Sequence, residues 1–181
     1  FYSWSVQLAG NNGSFLSSIY GIYKSKSALG GTPSWTYPFE GKLIGSPWVF
    51  EHSDTSKMIL AQEQNHTVHA IHPNGSKLWS AVFSGRIVGT PFQLADCSII
   101  LVTEHRRLYR FDTSGKVFKN FSLGLPQQAN YHPTLANFDD HMLLIPAGNK
   151  ILAYDIDGQK LEQWKVPELD SDILFDVKTI K

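Results

Sequence analysis

The sequence predicts an all-β protein made of repeated units. Three observations predict it: short runs rich in β-branched and aromatic residues, turn residues between these runs, and recurrence of one motif about every 40 residues. No segment keeps a 3.6-residue apolar period long enough for a helix. We therefore expect strands and turns along the whole chain.

Two independent landmarks define the repeat. A strand, a glycine-containing turn and an aromatic strand follow one another at 68–83, 108–123 and 151–166. The turn glycines are 40 and 43 residues apart, namely Gly75, Gly115 and Gly158. The segments "GKLIGSP", "GRIVGTP" and "QANYHP" end in prolines that are 44 and 42 residues apart, namely Pro47, Pro91 and Pro133. Because both landmarks keep one period, we predict repeat units at 1–40, 41–84, 85–125 and 126–166 within a single domain.

Each clear unit contains runs that are typical of four strands. In the second unit they are "WVFEH", "KMILAQE", "TVHAIH" and "KLWSAVF", and in the third "FQLA", "SIILVTE", "RLYRFD" and "KVFKNFS". Four strands in 40 to 45 residues is typical of a β-propeller blade, and radial stacking covers both faces of such a sheet. The sequence therefore predicts about four blades of four antiparallel strands, with 167–181 starting or closing a further blade. One aromatic residue per unit is expected to fill the space between blades: Trp35, Trp79, Phe118 and Trp164.

The unit resembles the repeat of the quinoprotein-type, or PQQ-like, β-propellers. The resemblance rests on a strand such as "HAIH", a Gly-Lys or similar turn and a following Trp, and it extends over about residues 19–177. Members of that superfamily usually have seven or eight blades, which implies that this chain is an arc of a larger ring, a closed small ring, or one half of a ring completed by a dimer. We favour the arc. Since the chain begins with Phe1, we also expect a processed or excised product.

Composition excludes several classes of function. Sixteen basic and sixteen acidic residues leave no net charge, so we expect no nucleic-acid partner. The longest apolar runs are too short to cross a bilayer, so we expect no membrane insertion. The three histidines of "HTVHAIH" alternate between strand faces and are too far apart to hold one metal ion, and we expect no metal site. "DIDG" at 155–158 is interpreted as a hairpin turn.

The predicted function is a non-catalytic scaffold that binds a protein partner or ligand through its loops. The residues chosen for a binding surface are exposed cations and one aromatic: Trp48, Arg86, Arg106 and Arg107. No catalytic residue and no cofactor are expected. One alternative implied by the resemblance is a fragment of a quinone-dependent dehydrogenase, which would need PQQ and calcium, although no residue set here matches that site.

A second alternative is a luminal or extracellular sensor or adaptor module. Four Asn-x-Ser/Thr sequons favour a secreted, periplasmic or luminal location, and they place acceptor asparagines at Asn12, Asn65, Asn74 and Asn120. Asn, Gly and Ser are also common turn residues, so the sequons do not decide the compartment.

Overall fold

The computed structural model of the chain describes residues 4–11, 14–21, 35–53, 56–137, 141–165, 169–173 and 177. In these ranges every regular element is a β-strand and no helix occurs, which confirms the all-β prediction. No segment in the described ranges forms a helix capable of crossing a membrane. The chain divides into two compact units, Phe1–Val82 and Phe83–Lys181.

The first compact unit, Phe1–Val82, contains a hairpin and a four-stranded sheet in its described residues. We call the two compact units the first unit and the second unit, and the units of the sequence repeat are called repeats. The hairpin pairs β1 (Trp4–Asn11) with β2 (Ser14–Gly21). The sheet has the antiparallel order β3 (Leu43–Glu51), β4 (Lys57–Glu63), β5 (Thr67–Ile71), β6 (Lys77–Val82). Every residue of β4 from Met58 to Glu63 is buried, so this strand is covered on both faces.

The second unit contains two antiparallel sheets. One has the order β7 (Phe92–Gln93), β8 (Ile99–Thr103), β9 (Arg107–Phe111), β10 (Leu123–Gly124). The other has the order β11 (Thr134–Asn137), β12 (His141–Ala147), β13 (Lys150–Asp155). β8 is buried along its whole length, and β12 is buried from Leu143 to Ala147.

One hydrophobic core joins the two sheets of the second unit. Ile100 and Val102 of β8 belong to the same buried cluster as Leu143 and Ile145 of β12. Because side chains alternate along a strand, each pair stands on one face of its sheet. These faces therefore pack against each other, as the apolar character of both strands requires.

The repeat seen in the sequence is also a repeat of backbone structure. Three hairpin turns each contain a glycine whose N–H donates to the carbonyl three residues earlier, at 2.8, 2.9 and 3.1 Å. These glycines have φ of +89°, +83° and +85°, and they are Gly75, Gly115 and Gly158. A left-handed φ favours glycine. The regular spacing of these glycines along the sequence therefore marks three copies of the same turn.

Two predicted strands are wrong. The segment "KVFKNFS" contributes only an isolated bridge from Val117 to Phe111, and the fourth strand of its sheet is β10. Likewise, the aromatic strand predicted at the end of 151–166 is absent from the described residues there, where an isolated bridge from Lys160 to Tyr154 is followed by a turn. The chain leaves the sheet edge in both places because a tight turn follows, closed by a backbone hydrogen bond from residue 121 to 118 and from 164 to 161. Residues 1–3, 12–13 and 22–34 of the predicted first repeat lie outside the described residues, as does most of the predicted 167–181 strand.

Trp35 contacts the turn of the following repeat unit. Its indole N–H donates to the Pro73 carbonyl at 2.6 Å. Its ring lies against Gly75, where an added Cβ would come within 2.7 Å of ring carbons. In the second compact unit the Phe121 ring and the Asn120 carbonyl lie near Gly158, where an added Cβ would make ordinary contacts at 3.4 to 3.6 Å. The absence of a side chain at Gly75 thus allows the close contact with Trp35.

Arg110 links the two sheets of the second unit. Its guanidinium donates to the Asp96 carboxylate at 2.7 Å, to the Ser98 hydroxyl at 3.0 Å and to the Ile156 carbonyl at 2.7 Å. The Phe118 ring lies 4.5 Å from its central carbon. We call these contacts the Arg110 network. The side chain is buried, and each polar contact offsets part of the free-energy cost of removing its charge from water.

Candidate functional site

A cleft in the second unit brings three cationic side chains together. Its volume is ≈ 580 Å³. Three segments line it: the turn between β8 and β9, the β10 edge with the residues after it, and the end of β13 with its turn. The lining residues are His105, Arg106, Arg107, Leu123, Gly124, Leu125, Pro126, Tyr154, Gly158 and Lys160.

The local backbone explains why two arginines reach this cleft. The turn after β8 closes with the Arg106 N–H donating to the Thr103 carbonyl at 3.1 Å, and Arg106 has φ of +58°. The Arg106 carbonyl in turn accepts from the Leu125 N–H at 2.8 Å. This bond holds the chain after β10 beside the turn, so the exposed Arg106 and Arg107 side chains stand next to an apolar segment.

Gly124 lies next to one of the arginines. It pairs with Arg107 across the β9–β10 ladder, and a Cβ at this position would lie 3.5 Å from the Arg107 guanidinium. That guanidinium donates to the Ser122 carbonyl at 3.1 Å, which orients it along the edge strand.

The rim of the cleft is cationic. Arg106, Arg107 and Lys160 contribute positive charge, and none of the lining residues is acidic. The Lys160 ammonium lies 3.3 Å from the Glu162 carboxylate, a pair that is exposed and therefore weak. Within the described part of the chain neither arginine forms an ion pair with a carboxylate. The cleft thus keeps a positive field that favours an anion.

The floor of the cleft is apolar. Tyr154 and Leu125 are buried in the core of the second unit, and Leu123 packs against it. Burial raises the pKa of the Tyr154 hydroxyl, so this group stays neutral at physiological pH. A cationic rim above an apolar floor can bind a ligand that carries both carboxylates and hydrocarbon groups.

A second polar cluster lies inside the first unit. The Glu63 carboxylate accepts from the Gly41 N–H at 2.8 Å and lies 3.3 Å from Nε2 of His69, without hydrogen-bond geometry. Nδ1 of His69 lies 3.2 Å from the Tyr37 hydroxyl, and the Phe39 ring meets the imidazole edge-on at 5.3 Å. We call this the Glu63 cluster. It fixes the segment 35–41 against the sheet.

Charge in the Glu63 cluster is compensated locally. Burial alone would raise the pKa of Glu63, but the Gly41 N–H and the His69 imidazole outweigh it and lower the pKa. Burial, followed by the negative charge of Glu63, raises the pKa of Tyr37. Glu63 is therefore ionised and Tyr37 neutral at pH 7.

The fold itself does not require this ionisable pair. Forty residues later, the positions of Glu63 and His69 are occupied by Thr103 and Tyr109. Tyr109 is buried as His69 is, and its ring packs against Phe83 at 4.8 Å. One repeat thus builds this place from a carboxylate and an imidazole, and the next builds it from a threonine and a tyrosine.

The predicted binding residues separate into different places. Arg106 and Arg107 line the cleft, as described above. Arg86 is exposed and does not line it, although its backbone N–H donates to the Glu104 carboxylate at 3.0 Å. Trp48 is half-buried in β3 of the first unit.

The described sequon asparagines all lie in exposed turns or loops. Asn65 and Asn74 accept backbone N–H groups two residues ahead at 3.0 and 2.9 Å. Asn120 is exposed, and Asn12 lies outside the described residues. Accessible turns of this kind suit both explanations given for the sequons, as glycan acceptors and as turn residues.

The "DIDG" segment forms a hairpin turn. One oxygen of Asp155 accepts the N–H groups of Asp157 and Gln159 at 2.9 and 2.7 Å. Asp112 makes the equivalent bonds one repeat earlier. Across the described ranges, no group of three His, Cys, Asp or Glu side chains is arranged to hold a metal ion.

Several site residues were not predicted from the sequence. Tyr154 and Lys160 of the cleft lie more than forty residues from Arg106 and Arg107 along the chain. The repeat period is the sequence signal that could have predicted that these residues lie close together in space. Glu63 and Tyr37 were also missed, because no local motif joins them to His69.

Comparisons with known proteins do not assign a family. No protein-family model matches the chain, and no curated protein matches it. Among solved structures, the chain is similar to a protein of unknown function from Bacteroides caccae, whose crystal structure was determined at 1.35 Å resolution. The identity is 15%, the TM-score is 0.47, and the match covers 92% of this chain. The chain spans 58% of the length of that protein.

Proposed function

We propose that the chain is an arc of a PQQ-like β-propeller and acts as a non-catalytic scaffold that binds a protein partner through its loops. The observation that carries the binding role is the cleft, where Arg106 and Arg107 project from a turn that the β9–β10 ladder holds in place. Loops on a stiff sheet frame are well suited to recognition because binding then orders few additional groups.

Two features of the sheets support the propeller architecture. Successive repeats share one hairpin turn at intervals of 40 and 43 residues. The second strand of each larger sheet, namely β4, β8 and β12, is buried on both faces. A sheet covered on both sides is expected where blades stack around an axis. An experimental structure in which successive sheets turn by a constant angle about one axis would support this architecture, and any other sheet arrangement would contradict it.

A photo-reactive side chain tests the scaffold role directly. A benzophenone amino acid placed at position 106 in the host cell should cross-link to one discrete protein, identified by mass spectrometry. The same group in place of Lys119, an exposed residue that does not line the cleft, is the matched control. Identical adducts at both positions, or none at position 106, would refute partner binding at the cleft.

Quinone binding is tested separately. The scaffold proposal predicts no change in melting temperature when PQQ and calcium are added together. A chain that binds the quinone would be stabilised by mass action, by about 2.7 kcal/mol at a ligand concentration 100 times the dissociation constant. A dose-dependent rise would therefore replace the scaffold proposal with the dehydrogenase alternative.

The exposed sequons favour a second candidate, a luminal or extracellular sensor or adaptor. Asn65, Asn74 and Asn120 are all accessible. Expression through a glycosylating secretory pathway should add glycan mass at one or more of them, measured on tryptic peptides. A fully unmodified product would count against this candidate.

A further inference from the structure

We infer that the cleft of the second unit binds an extended acidic peptide, one whose carboxylates alternate with apolar side chains. This inference rests on the proposed scaffold function and specifies the chemistry of the partner. It is carried by three features of the cleft: two arginines that form no ion pair with a described carboxylate, the apolar floor, and the sheet edge that runs beside them.

The arginines supply sites for carboxylates. A guanidinium has five N–H donors in a planar fork that matches a carboxylate. The structure orients Arg107 with one bond to the Ser122 carbonyl and leaves both arginines exposed. Lys160 faces the same cleft from the β13 turn, so cations approach from two sheets. Their mutual repulsion is relieved when an anion with more than one carboxylate enters.

The floor supplies a place for hydrocarbon groups. Leu123 is half-buried, and Leu125 and Tyr154 are buried beneath the cleft. A free inorganic anion would leave the exposed part of Leu123 uncovered. A peptide with period-two alternation turns its carboxylates to one side and its apolar side chains to the other, and so contacts rim and floor together.

The sheet edge favours an extended conformation. β10 is the outer strand of its sheet, and Gly124 in it is exposed. An outer strand presents backbone N–H and C=O groups to an added strand, which is a common mode of peptide recognition. Gly124 has no side chain that would obstruct the approach of a second backbone.

Charge balance favours a peptide over a nucleic acid. The whole chain has equal numbers of acidic and basic residues, a balance that is not typical of proteins that bind a phosphate backbone. The cleft has three cationic side chains, a number that matches two or three carboxylates. A volume of ≈ 580 Å³ accommodates a few peptide residues rather than a folded domain.

Fluorescence anisotropy with defined probes tests the inference. The probe is a fluorescein-labelled Glu-Leu-Glu-Val-Glu peptide, and the control peptide is Gln-Leu-Gln-Val-Gln. The acidic peptide should bind at least about tenfold more tightly, and Arg106→Ala and Arg107→Ala should each weaken it by about tenfold, since charge-assisted bonds are lost. Arg86→Ala is the matched control, because it removes an exposed arginine of the same unit that does not line the cleft, and it should leave affinity unchanged. Circular dichroism checks that each variant is folded.

Equal affinity for both peptides would overturn the inference, and so would an equal loss of affinity for the acidic peptide in the Arg86 and Arg107 variants. A third such outcome is displacement of the peptide by inorganic phosphate beyond the effect of chloride at the same ionic strength. The last outcome would mean that the cleft is a simple anion site. If the benzophenone at position 106 captures a protein while neither peptide binds, the scaffold proposal survives and the acidic-peptide inference fails. If both experiments are negative, both proposals fail.

Discussion

Replacing Arg110 with methionine should destabilise the second unit strongly. Methionine keeps much of the side-chain length and removes the charge and all donors. The Ile156 carbonyl then loses a 2.7 Å bond, and the Asp96 carboxylate loses its cationic partner. The Ser98 hydroxyl keeps its bond to Asp96 at 2.6 Å, so it adds little to the loss.

The expected magnitude follows from these contacts. A hydrogen bond to a charged group contributes about 1.5–3 kcal/mol, and leaving a buried acceptor unpaired costs about 1–3 kcal/mol. Asp96 is half-exposed, so water replaces much of its lost interaction. Apolar packing of methionine against Phe118 offsets a further part. The net decrease in the free energy of unfolding is therefore about 2–4 kcal/mol, or roughly 5–15 °C in melting temperature.

Urea denaturation followed by tryptophan fluorescence measures this decrease, with Lys119→Met as the control for loss of an exposed cation. Burial alone would raise the pKa of Asp96, but its bonds to Ser98 and Arg110 lower it. A depressed carboxylate pKa stabilises the fold above the unfolded pKa of about 3.9, and the stabilisation is lost as the pH falls through the folded pKa. The difference between Arg110→Met and the unaltered chain should therefore shrink below pH 3.9. Equal stability of the two proteins at pH 7 would refute the role assigned to the Arg110 network.

Three further predictions concern other parts of the chain. Gly75→Ala should lower the free energy of unfolding by about 1–3 kcal/mol, because φ of +89° strains alanine and its Cβ would lie 2.7 Å from the Trp35 ring. An unchanged melting temperature would contradict this contact. Glu63→Gln should lower stability by about 1–2 kcal/mol at pH 7. In the unaltered protein the lowered pKa of Glu63 makes the free energy of unfolding fall as the pH drops below about 4.3, and Glu63→Gln should make this fall less steep. Parallel curves of stability against pH for the two proteins would refute that explanation. Leu143→Ala should lower the free energy of unfolding, measured by urea denaturation, by about 2–5 kcal/mol through the cavity it creates. Val117 is more exposed, so Val117→Ala should lower it by less than about 1 kcal/mol. Similar losses in the two variants would argue against a shared core of the two sheets.

The fold class could be predicted because its signals are local. Alternation and turn residues act within a few residues, and a turn that needs positive φ selects glycine whatever surrounds it, as at Gly75 and Gly158. The fourth strand of the β7–β10 sheet could not be placed by the same reasoning. "KVFKNFS" has β-forming residues, but the hydrogen bond from Phe121 to Phe118 turns the chain away from the sheet. Tertiary context decides such a segment, not its propensity.

Two of the ten residues that line the cleft were predicted from the sequence, namely Arg106 and Arg107, which were chosen as exposed cations. Lys160 enters the cleft through the repeat geometry, and the equivalent residue one repeat earlier is the uncharged Val117. The Glu63 cluster shows the same limit. No metal site was expected at His69, and its contact with Tyr37, which spans 32 residues and has no sequence signature, was not predicted.

Strand pairing in the described part of the chain joins only sequence neighbours, and no crossover occurs. This connectivity affects how the protein folds. Local pairing gives a low contact order for an all-β chain, and each sheet closes only short loops as it forms. A sheet can therefore fold soon after its own residues leave the ribosome, before the following repeats have been synthesised.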